Sequence, residues 1–475
     1  MPSIRQALAW LQLRRVVRSD RKPFLNFAVS SARVDITPGE PVPLAGYAGR
    51  DAAFVDIASR LEANAVLLAC GPARVLFVAL DALYFGPVLS RVVRESAARH
   101  GIGADCVVSS ASHTHFAPAT DPGKPALGRV DPAWIERVAG LLEQLVDRVA
   151  AAPTQPATIE ALRIEVPLNV NRRRRWRWPM LVRAGLRLGG GIVMAPAPLE
   201  PRDQALDLLR VRAADGQVLA WLWKYACHPV GSVEPLRVDA EYPGRVREAL
   251  RALGDAAAAV VFWQGFAGDV RPWIVGRRSL AQRLATLRRG PDFGRPRAED
   301  WQRWCSALVQ RVRAGVGTGP WRAISATLTV RAERIALTEL LEAAGEAELP
   351  ASPLLVQRLC LGQEIDLLFL SAEVCSPYLR LARLERTTIC AGYTDDPFGY
   401  LPSAAQVAEG GYEASGFLRY FGPGLRWRPG FEQRVEAAVV ATERDTPAPA
   451  HGIGNGLRPD ATGSAQSAMA KSAGD

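Results

Sequence analysis

The sequence predicts an α/β protein. Apolar runs typical of buried strands alternate with amphipathic segments typical of helices, and polar clusters stand directly after several of the apolar runs. Strand ends are where α/β folds form ligand sites, so these clusters also indicate where the chemistry lies. The chain has 475 residues, of which 48% are hydrophobic, which is enough for a large core.

The alternation begins early in the chain. RVLFVALDALYF (74–85) predicts a buried strand that ends at Asp81, and GPVLSRVVRESAARHG predicts an amphipathic helix closed by Gly101. CVVSSASHTH is another apolar run, with two histidines just past its end. DPAWIERVAGLLEQLVDRVAAA predicts a helix with Asp131 as its N-cap and Pro132 in its first turn.

Strand and helix signals continue through the rest of the chain. ATIEALRIEVPLNVN predicts a strand, and LDLLRVRAADGQVLAWLWKYACHP predicts a hairpin that turns at AADGQ. YPGRVREALRALG predicts a helix, and AAVVFWQGFAGDV predicts a buried strand that ends in a glycine-rich turn. EIDLLFLSAEVCSPYLRLARL predicts a strand, a loop and a helix.

Charge and cysteine usage narrow the function classes. The net charge of +10 indicates either a basic soluble surface or an anionic partner, such as an acidic substrate, a membrane surface or nucleic acid. The seven cysteines are scattered and never spaced as C-x-x-C, which argues against a disulfide framework and favours a reducing compartment. No apolar window is long enough to span a membrane, so we expect a cytoplasmic protein.

Both ends of the chain differ from its middle. Residues 1–27 are basic and amphipathic without the continuous apolar stretch of a signal peptide, and they predict a basic N-terminal arm. Residues 443–475 are rich in Ala, Gly, Pro and Ser and predict a disordered tail. Residues 28–442 are therefore expected to form the functional domain.

Histidine placement predicts a metal site. The chain has only five histidines, and three of them, His113, His115 and His228, follow apolar runs. His113 and His115 are two residues apart, so an extended chain would point both rings the same way. With Glu373 at the end of a further run, these residues form a suitable Zn²⁺ set with an open position for water. The alternative is that the histidines bond only to loop backbone.

Sequence motifs between about residues 28 and 420 resemble those of the neutral/alkaline (non-lysosomal) ceramidase family, in the same order. The matching segments are ARVDITPGEPVPLAGYAGR, FVALDALYF, VVSSASHTHFAP, NVNR, LDLLRVRAADGQVLAWLWKYACHPV, AEYPGRVRE, WQGFAGDVRP, FLSAEVCSPYLRLAR and AGYTDDPFGYLPSAAQVAEGGYE. The resemblance implies layered mixed sheets with flanking helices, and a catalytic domain over residues 28–442. The family's C-terminal immunoglobulin-like domain is not expected.

The resemblance also implies an activity and its residues. It implies a zinc-dependent amidase that cleaves an N-acyl amino lipid or N-acyl amino sugar, with the metal held by four side chains: His113, His228, Glu373 and Tyr400. Tyr393 and Tyr412 are alternatives to Tyr400. His115 would then be a catalytic residue beside the metal that moves a proton. Arg172 matches an arginine that lines the site, and Asp269 is expected to support it.

Two departures from the family pattern bear on the substrate. Arg271 stands where the family has a serine, and Phe116 replaces part of a small, polar edge. We expect both residues to contact substrate, and a fixed positive charge at Arg271 favours a carboxylate or phosphate on it. The alternative is that Arg271 pairs with Asp269 or another local acid. A different class of function is also open, that of a degenerate member which binds metal or ligand without turnover.

An unusual basic insert covers residues 172–202. Its first residues, RRRRWRW, interleave guanidinium and indole groups. This composition favours contact with an anionic membrane surface or a phosphate-bearing substrate, and its alternative is a solvated flexible loop. No nucleic-acid partner is expected, because no nucleic-acid-binding fold accompanies the basic patch.

Overall fold

The protein is represented by a computed structural model. It describes residues 27–443, apart from 183–184, 281–283, 285, 287–290, 345–348 and 384. The described residues belong to one compact unit. Except for Phe27 and Glu443, the predicted N-terminal arm and C-terminal tail lie outside the described residues, so these two boundaries stay predictions.

The largest sheet has nine strands and is mixed. Its strands are β1 (Phe27–Asp35), β3 (Glu62–Cys70), β4 (Ala73–Leu80), β5 (Val107–Ala111), β6 (Gln155–Glu165), β10 (Ala205–Ala213), β11 (Val218–Tyr225), β13 (Ala259–Gln264) and β15 (Arg322–Ala323). They run in the order β13-β11-β10-β6-β1-β3-β4-β5, with β15 beside β6. The pairs β4–β5 and β11–β13 are parallel, whereas the others are antiparallel.

A second sheet has four strands, in the order β16-β18-β19-β21. They are β16 (Leu328–Ile335), β18 (Leu354–Leu361), β19 (Ile365–Leu370) and β21 (Thr387–Ala391). The pair β19–β21 is parallel.

Five two-stranded pairs complete the strands. They are β2 (Asp56–Ile57) with β12 (Arg237–Val238), β7 (Asn169–Asn171) with β14 (Val270–Pro272), β8 (Arg173–Val182) with β9 (Gly185–Met194), β17 (Leu341–Ala343) with β23 (Leu425–Trp427), and β20 (Glu373–Val374) with β22 (Tyr400–Leu401). The pair β8–β9 is antiparallel, so the described part of the basic insert consists of paired strands and is not an irregular loop.

Helices flank the sheets. The α-helices of the described chain are α1 (Pro87–Arg99), α2 (Pro132–Ala151), α3 (Glu241–Leu253), α4 (Ala298–Thr318), α5 (Leu337–Leu340), α6 (Ala404–Glu409), α7 (Leu418–Phe421) and α8 (Phe431–Ala441). Asp131 caps α2 as predicted, since its carboxylate accepts a hydrogen bond from the Trp134 backbone N–H at 2.8 Å. After β19 the predicted helix is a short 3₁₀ turn over Ser376–Leu381.

The two larger sheets pack face to face around an apolar core. Trp263 of β13 packs against Phe77 of β4 and Phe369 of β19, with ring centroids 5.3 Å apart in both pairs. On the outer face of the large sheet, α1 and α2 cover one half, and α3 and α4 cover the other. Helix α8 packs on the outer face of the second sheet. The predicted α/β class, with layered mixed sheets and flanking helices, is therefore confirmed.

The large sheet curls so that its two terminal strands approach each other. The Ser110 hydroxyl of β5 donates a hydrogen bond to the Phe262 carbonyl of β13 at 3.1 Å, and the Asn64 side-chain oxygen of β3 accepts one from the Val260 N–H at 3.0 Å. Because strands β5, β13 and β21 each lie parallel to a neighbour, their carboxyl ends bring several polar loops to one place.

Candidate metal centre

The first histidine of the cluster sits on a turn. His113 lies two residues past the end of β5, and its φ of 64° is in the left-handed region, which is uncommon for a residue other than glycine. The expectation that His113 and His115 share an extended backbone is therefore wrong. The turn itself brings the two rings together, with their Nε2 atoms 3.3 Å apart.

Backbone carbonyls fix the orientation of two of the rings. The Nδ1 atom of His113 is 2.9 Å from the Leu83 carbonyl, and that of His228 is 2.7 Å from the Ala267 carbonyl. A carbonyl oxygen only accepts hydrogen bonds, so each Nδ1 must carry the proton. In the neutral form of each ring, Nε2 then presents a lone pair to the interior of the cluster, as metal-binding histidines do.

Glu373 completes a set of converging acceptor atoms. Its Oε2 lies 3.4 Å from His113 Nε2 and 3.3 Å from His228 Nε2, while its Oε1 accepts a hydrogen bond from the Tyr84 hydroxyl. Oε2 is buried and has no hydrogen-bond donor among the described residues. Tetrahedral zinc ligands at about 2.0–2.2 Å stand about 3.3–3.6 Å from one another, so this spacing and donor chemistry fit a zinc ion.

Two further side chains face the same point. The Tyr400 hydroxyl is 3.4 Å from His228 Nε2, and His115 Nε2 is 3.3 Å from His113 Nε2. His113, His115 and His228 form a group that could hold a metal ion, with one nitrogen of each lying within 4.8 Å of the others. The cluster thus offers more ligand atoms than a four-coordinate ion needs.

Burial sets the charge state of the cluster. Burial and then the charge of Arg172 lower the pKa of His228 to about 4, and burial followed by the neighbouring His113 lowers the pKa of His115 well below its ordinary value. Burial alone would raise the pKa of Glu373, but His113 and His228 bring it well below its usual range. At neutral pH His115 and His228 are therefore neutral and Glu373 is ionised, which is the state that binds a metal ion.

Arg172 links Tyr400, at the histidine cluster, to neighbouring buried groups. Its guanidinium donates to the Tyr400 hydroxyl at 3.0 Å, to the Gly268 carbonyl at 2.8 Å and to Glu413 Oε1 at 2.7 Å. Arg173 donates to the other oxygen of Glu413 at 3.0 Å. The first two arginines of the basic insert are therefore buried and paired rather than displayed on the surface.

Asp269 lies behind Arg172, away from the histidines. One carboxylate oxygen accepts hydrogen bonds from the Ser376 N–H and hydroxyl, and the other accepts them from the amides of Asn171 and Gln406. The Asp269 backbone carbonyl accepts a hydrogen bond from the Arg172 N–H at 2.8 Å. Its contacts are those of a residue that positions the Arg172 segment.

Tyr47 covers the outward side of the cluster. Its ring is 5.1 Å from the His115 ring and 6.0 Å from the buried Phe116 ring, and 39% of Tyr47 is exposed. Gly46, next to it, has a φ of 105°, and a Cβ there would lie 2.5 Å from His115 Nδ1. Only glycine lets this turn pass so close to the His115 ring.

Arg271 lies beside the cluster without an acidic partner. It follows Val270, whose carbonyl accepts a hydrogen bond from the His228 N–H at 3.1 Å, and its guanidinium stacks on the Phe293 ring at 4.3 Å. No carboxylate among the described residues lies within ion-pair distance of Arg271. The alternative pairing with Asp269 is absent, because both oxygens of that carboxylate bond elsewhere.

Several site residues were not identified from the sequence. Tyr84, which holds Glu373, stands only three residues after Asp81 in the strand-end motif FVALDALYF, so position was an available signal. Glu413 is the last residue of GGYE, and nothing in the sequence around it indicates that it pairs with Arg172. The Tyr393 ring, an alternative to Tyr400, lies 4.4 Å from the His113 ring.

Comparisons with known proteins address the fold. Neither the scan against protein-family models nor the search of curated proteins found a match. Among solved structures, the chain is similar to a neutral ceramidase from Pseudomonas aeruginosa, with a TM-score of 0.67 and 14% identity, covering 89% of this chain and 74% of that one. It is also similar to a ceramidase complexed with C2, with a TM-score of 0.65 and 14% identity, covering 88% and 74%. The resemblance indicated by the motifs is confirmed in three dimensions: the chain has the fold of the neutral ceramidases.

Proposed function

We propose that this protein is a zinc-dependent hydrolase that cleaves an amide bond in an N-acyl amino lipid or N-acyl amino sugar. The observation that carries the proposal is the buried convergence of His113 Nε2, His228 Nε2 and Glu373 Oε2, with no donor between them. The shared fold supports the same conclusion, because the similar solved structures are ceramidases.

Four side chains would hold the ion: His113, His228, Glu373 and Tyr400. When bound, Zn²⁺ supplies Lewis-acid chemistry, polarising a carbonyl group and activating water at neutral pH. Arg172 donates a hydrogen bond to the Tyr400 oxygen at 3.0 Å. Burial, and then the charge of Glu373, raise the pKa of Tyr400 well above its ordinary value, and the positive charge of Arg172 opposes this rise. Glu413 keeps Arg172 in place.

His115 is the proposed proton carrier. Its Nε2 faces the cluster, and the Arg50 guanidinium donates to its backbone carbonyl at 2.6 Å, which fixes the residue. A neutral imidazole there accepts a proton at Nε2 from the attacking water and returns it to the leaving amine. The partly exposed Tyr47 provides an aromatic surface next to His115, suited to a lipid or other small-molecule substrate, and Phe116 is buried against Tyr47.

Metal analysis and an amidase assay test the proposal together. Purified protein should contain about one zinc per chain, and His113→Ala and His228→Ala should each remove it. His100→Ala is the matched control, because His100 pairs with Asp147 outside the cluster and should leave zinc unchanged. Zinc at full occupancy in both cluster variants would overturn the site. Zinc without cleavage of any N-acyl substrate would favour the non-catalytic family member.

The remaining arginines of the insert bear on membrane contact. Arg174, Arg175 and Arg177 are exposed, whereas Arg172 and Arg173 are buried, so we infer that any contact with an anionic membrane uses residues 174–177. No helix in the described part of the chain is long and apolar enough to cross a membrane. All seven cysteines are free, which supports a reducing, cytoplasmic setting.

A further inference from the structure

Arg271 is a charged side chain that the fold buries in part without giving it a counter-ion. Its Nε is fully buried and has no hydrogen-bond partner among the described residues. Its guanidinium stacks on Phe293 at 4.3 Å. An Nε–H removed from water loses hydration that an acceptor would have to replace, so this arrangement costs the free protein stability.

The nearby acids do not compensate Arg271. Asp269 gives both carboxylate oxygens to other donors. Glu241 accepts a hydrogen bond from the Ser232 N–H at one oxygen, and its other oxygen is buried without a partner. Burial, and then the charge of Asp239, raise the pKa of Glu241 well above its ordinary value, which weakens Glu241 as a counter-ion.

The uncompensated charge lies at the edge of the proposed metal centre. The residue before Arg271 is Val270, whose carbonyl accepts hydrogen bonds from both the N–H and the Nδ1–H of His228 at 3.1 Å. Arg271 is also near enough to Tyr47 for its charge to lower the pKa of that phenol, although burial dominates and raises it to about 12. Since the Tyr47 ring contacts the His115 ring, Tyr47 neighbours both Arg271 and the proposed proton carrier.

We propose that Arg271 forms an anion subsite beside the His113, His228 and Glu373 cluster, and that it binds a carboxylate or phosphate group of the substrate. A guanidinium binds either group through two parallel hydrogen bonds, and the incoming charge replaces the missing counter-ion. Built on the proposed amidase function, this subsite defines the substrate class. The substrates are N-acyl compounds with an acidic group close to the amide, and neutral N-acyl amines are poor ones.

Binding can be measured without turnover by using sulfonamides in place of amides. The three probes are N-dodecylsulfonylglycine, which carries a carboxylate, the neutral N-dodecylsulfonylethanolamine, and the phosphate ester of the latter. Calorimetric titration into the zinc-loaded protein should show at least one anionic probe binding about 10- to 100-fold more tightly than the neutral probe. The anionic probe with the higher affinity identifies the group.

Variants assign the preference to Arg271. Arg271→Ser should abolish the difference between anionic and neutral probes, and Arg271→Lys should keep part of it, because it retains the charge without the planar fork. Arg295→Ser, at an exposed arginine two residues past Phe293, is the matched control and should keep the full preference. The melting temperature of free Arg271→Ser should equal or exceed that of the wild type, since an uncompensated charge has been removed.

Two results would overturn the subsite: equal affinities of the wild type for neutral and anionic probes, or a preference that survives in both Arg271→Ser and Arg271→Lys. Hydrolysis of the corresponding amides is assayed separately. A preference without hydrolysis would leave the subsite standing and remove the amidase function, whereas hydrolysis without preference would do the reverse.

Discussion

At the scale of single residues, backbone contacts decide which atoms of the cluster are free to react. Backbone carbonyls accept hydrogen bonds from the Nδ1–H groups of His113 and His228, so both Nε2 atoms face Glu373. The left-handed backbone of His113 is the kind of strain that folds retain at functional sites. The absence of a side chain at Gly46 leaves room for the His115 ring.

His115 should act on protons rather than hold the metal. His115→Ala is expected to keep about one zinc per chain while lowering turnover by about 10²–10⁴-fold, because the proton transfer at Nε2 is lost. Zinc content and hydrolysis rate are measured on the same preparation. Because His115 Nε2 is as close to His113 as a ligand would be, loss of zinc in this variant would instead make His115 a ligand.

Gly46 tests the position of His115 without altering its chemistry. Gly46→Ala should keep zinc but reduce turnover by about 10²-fold, since the new Cβ would displace a ring only 2.5 Å away. Gly49→Ala is the control, because Gly49 also has a positive φ, of 77°, but no atom lies within 4 Å of a Cβ added there. Equal losses in both variants would attribute the effect to backbone strain instead of the clash.

The residue types of the site could be predicted from the sequence, but their contacts could not. Histidines and a glutamate after apolar runs suffice to suggest a metal. Nothing local indicates that Tyr84 bonds to Glu373, because 289 positions separate them and the contact depends on strand order. The same holds for Arg173 and Glu413, which are 240 positions apart.

At the scale of elements, the base of the β8–β9 hairpin is held by a buried ion network. Glu413 lies in a π-helical turn over Tyr412–Gly416 and accepts hydrogen bonds from Arg172 and Arg173, which precede and begin β8. The alternation of arginine and tryptophan predicted a surface for anions. The first two arginines instead stabilise the fold, because both donate hydrogen bonds to the buried Glu413, which is distant in sequence.

Removing the acid should destabilise the protein strongly. Glu413→Gln leaves the buried Arg172 without a carboxylate partner and leaves the buried Arg173 with only Glu409, at 3.4 Å. We expect the free energy of unfolding to fall by about 3–5 kcal/mol. Denaturant titration measures the change. Glu436→Gln is the control, since Glu436 is partly exposed and pairs with Arg380 at the surface, where a loss of about 0–1 kcal/mol is expected. Equal losses in the two variants would mean that the buried ion pairs of Glu413 add no more to the free energy of unfolding than an exposed pair does.

At the scale of the whole molecule, two stacked sheets and the curl of the larger one create the site. The carboxyl ends of β5, β11 and β19 deliver His113, His228 and Glu373 to one point. The sequence predicted the α/β class and placed the polar clusters after strands, since both depend on local patterns. The face-to-face packing depends on long-range contacts such as Trp263 with Phe369, which periodicity alone does not reveal.

An ion network ties the two halves of the large sheet together. Glu62 of β3 accepts hydrogen bonds from Arg251 of α3 at 2.7 and 2.8 Å, and Arg247 lies 3.5 Å away. Burial alone would raise the pKa of Glu62, but Arg251 and Arg247 lower it from 4.5 to about 2. A depressed carboxyl pKa stabilises the fold above pH 4.5, and this contribution of about 3 kcal/mol is lost as the pH falls toward 2.

The free energy of unfolding should therefore depend on pH through the Glu62 carboxyl group. At pH 7 we expect Glu62→Gln to lower the free energy of unfolding by about 3 kcal/mol relative to the wild type. By pH 3.5 this difference should be smaller by about 1 kcal/mol, because Glu62 then binds a proton in the unfolded state and the wild type is itself less stable. Denaturant titrations at several pH values measure the gap. Glu248→Gln, at an exposed acid that also contacts Arg251, should show almost no gap at any pH. A Glu62→Gln gap that stayed constant between pH 7 and 3.5 would show that the lost stability comes from packing, and that the carboxyl of Glu62 titrates alike in both states.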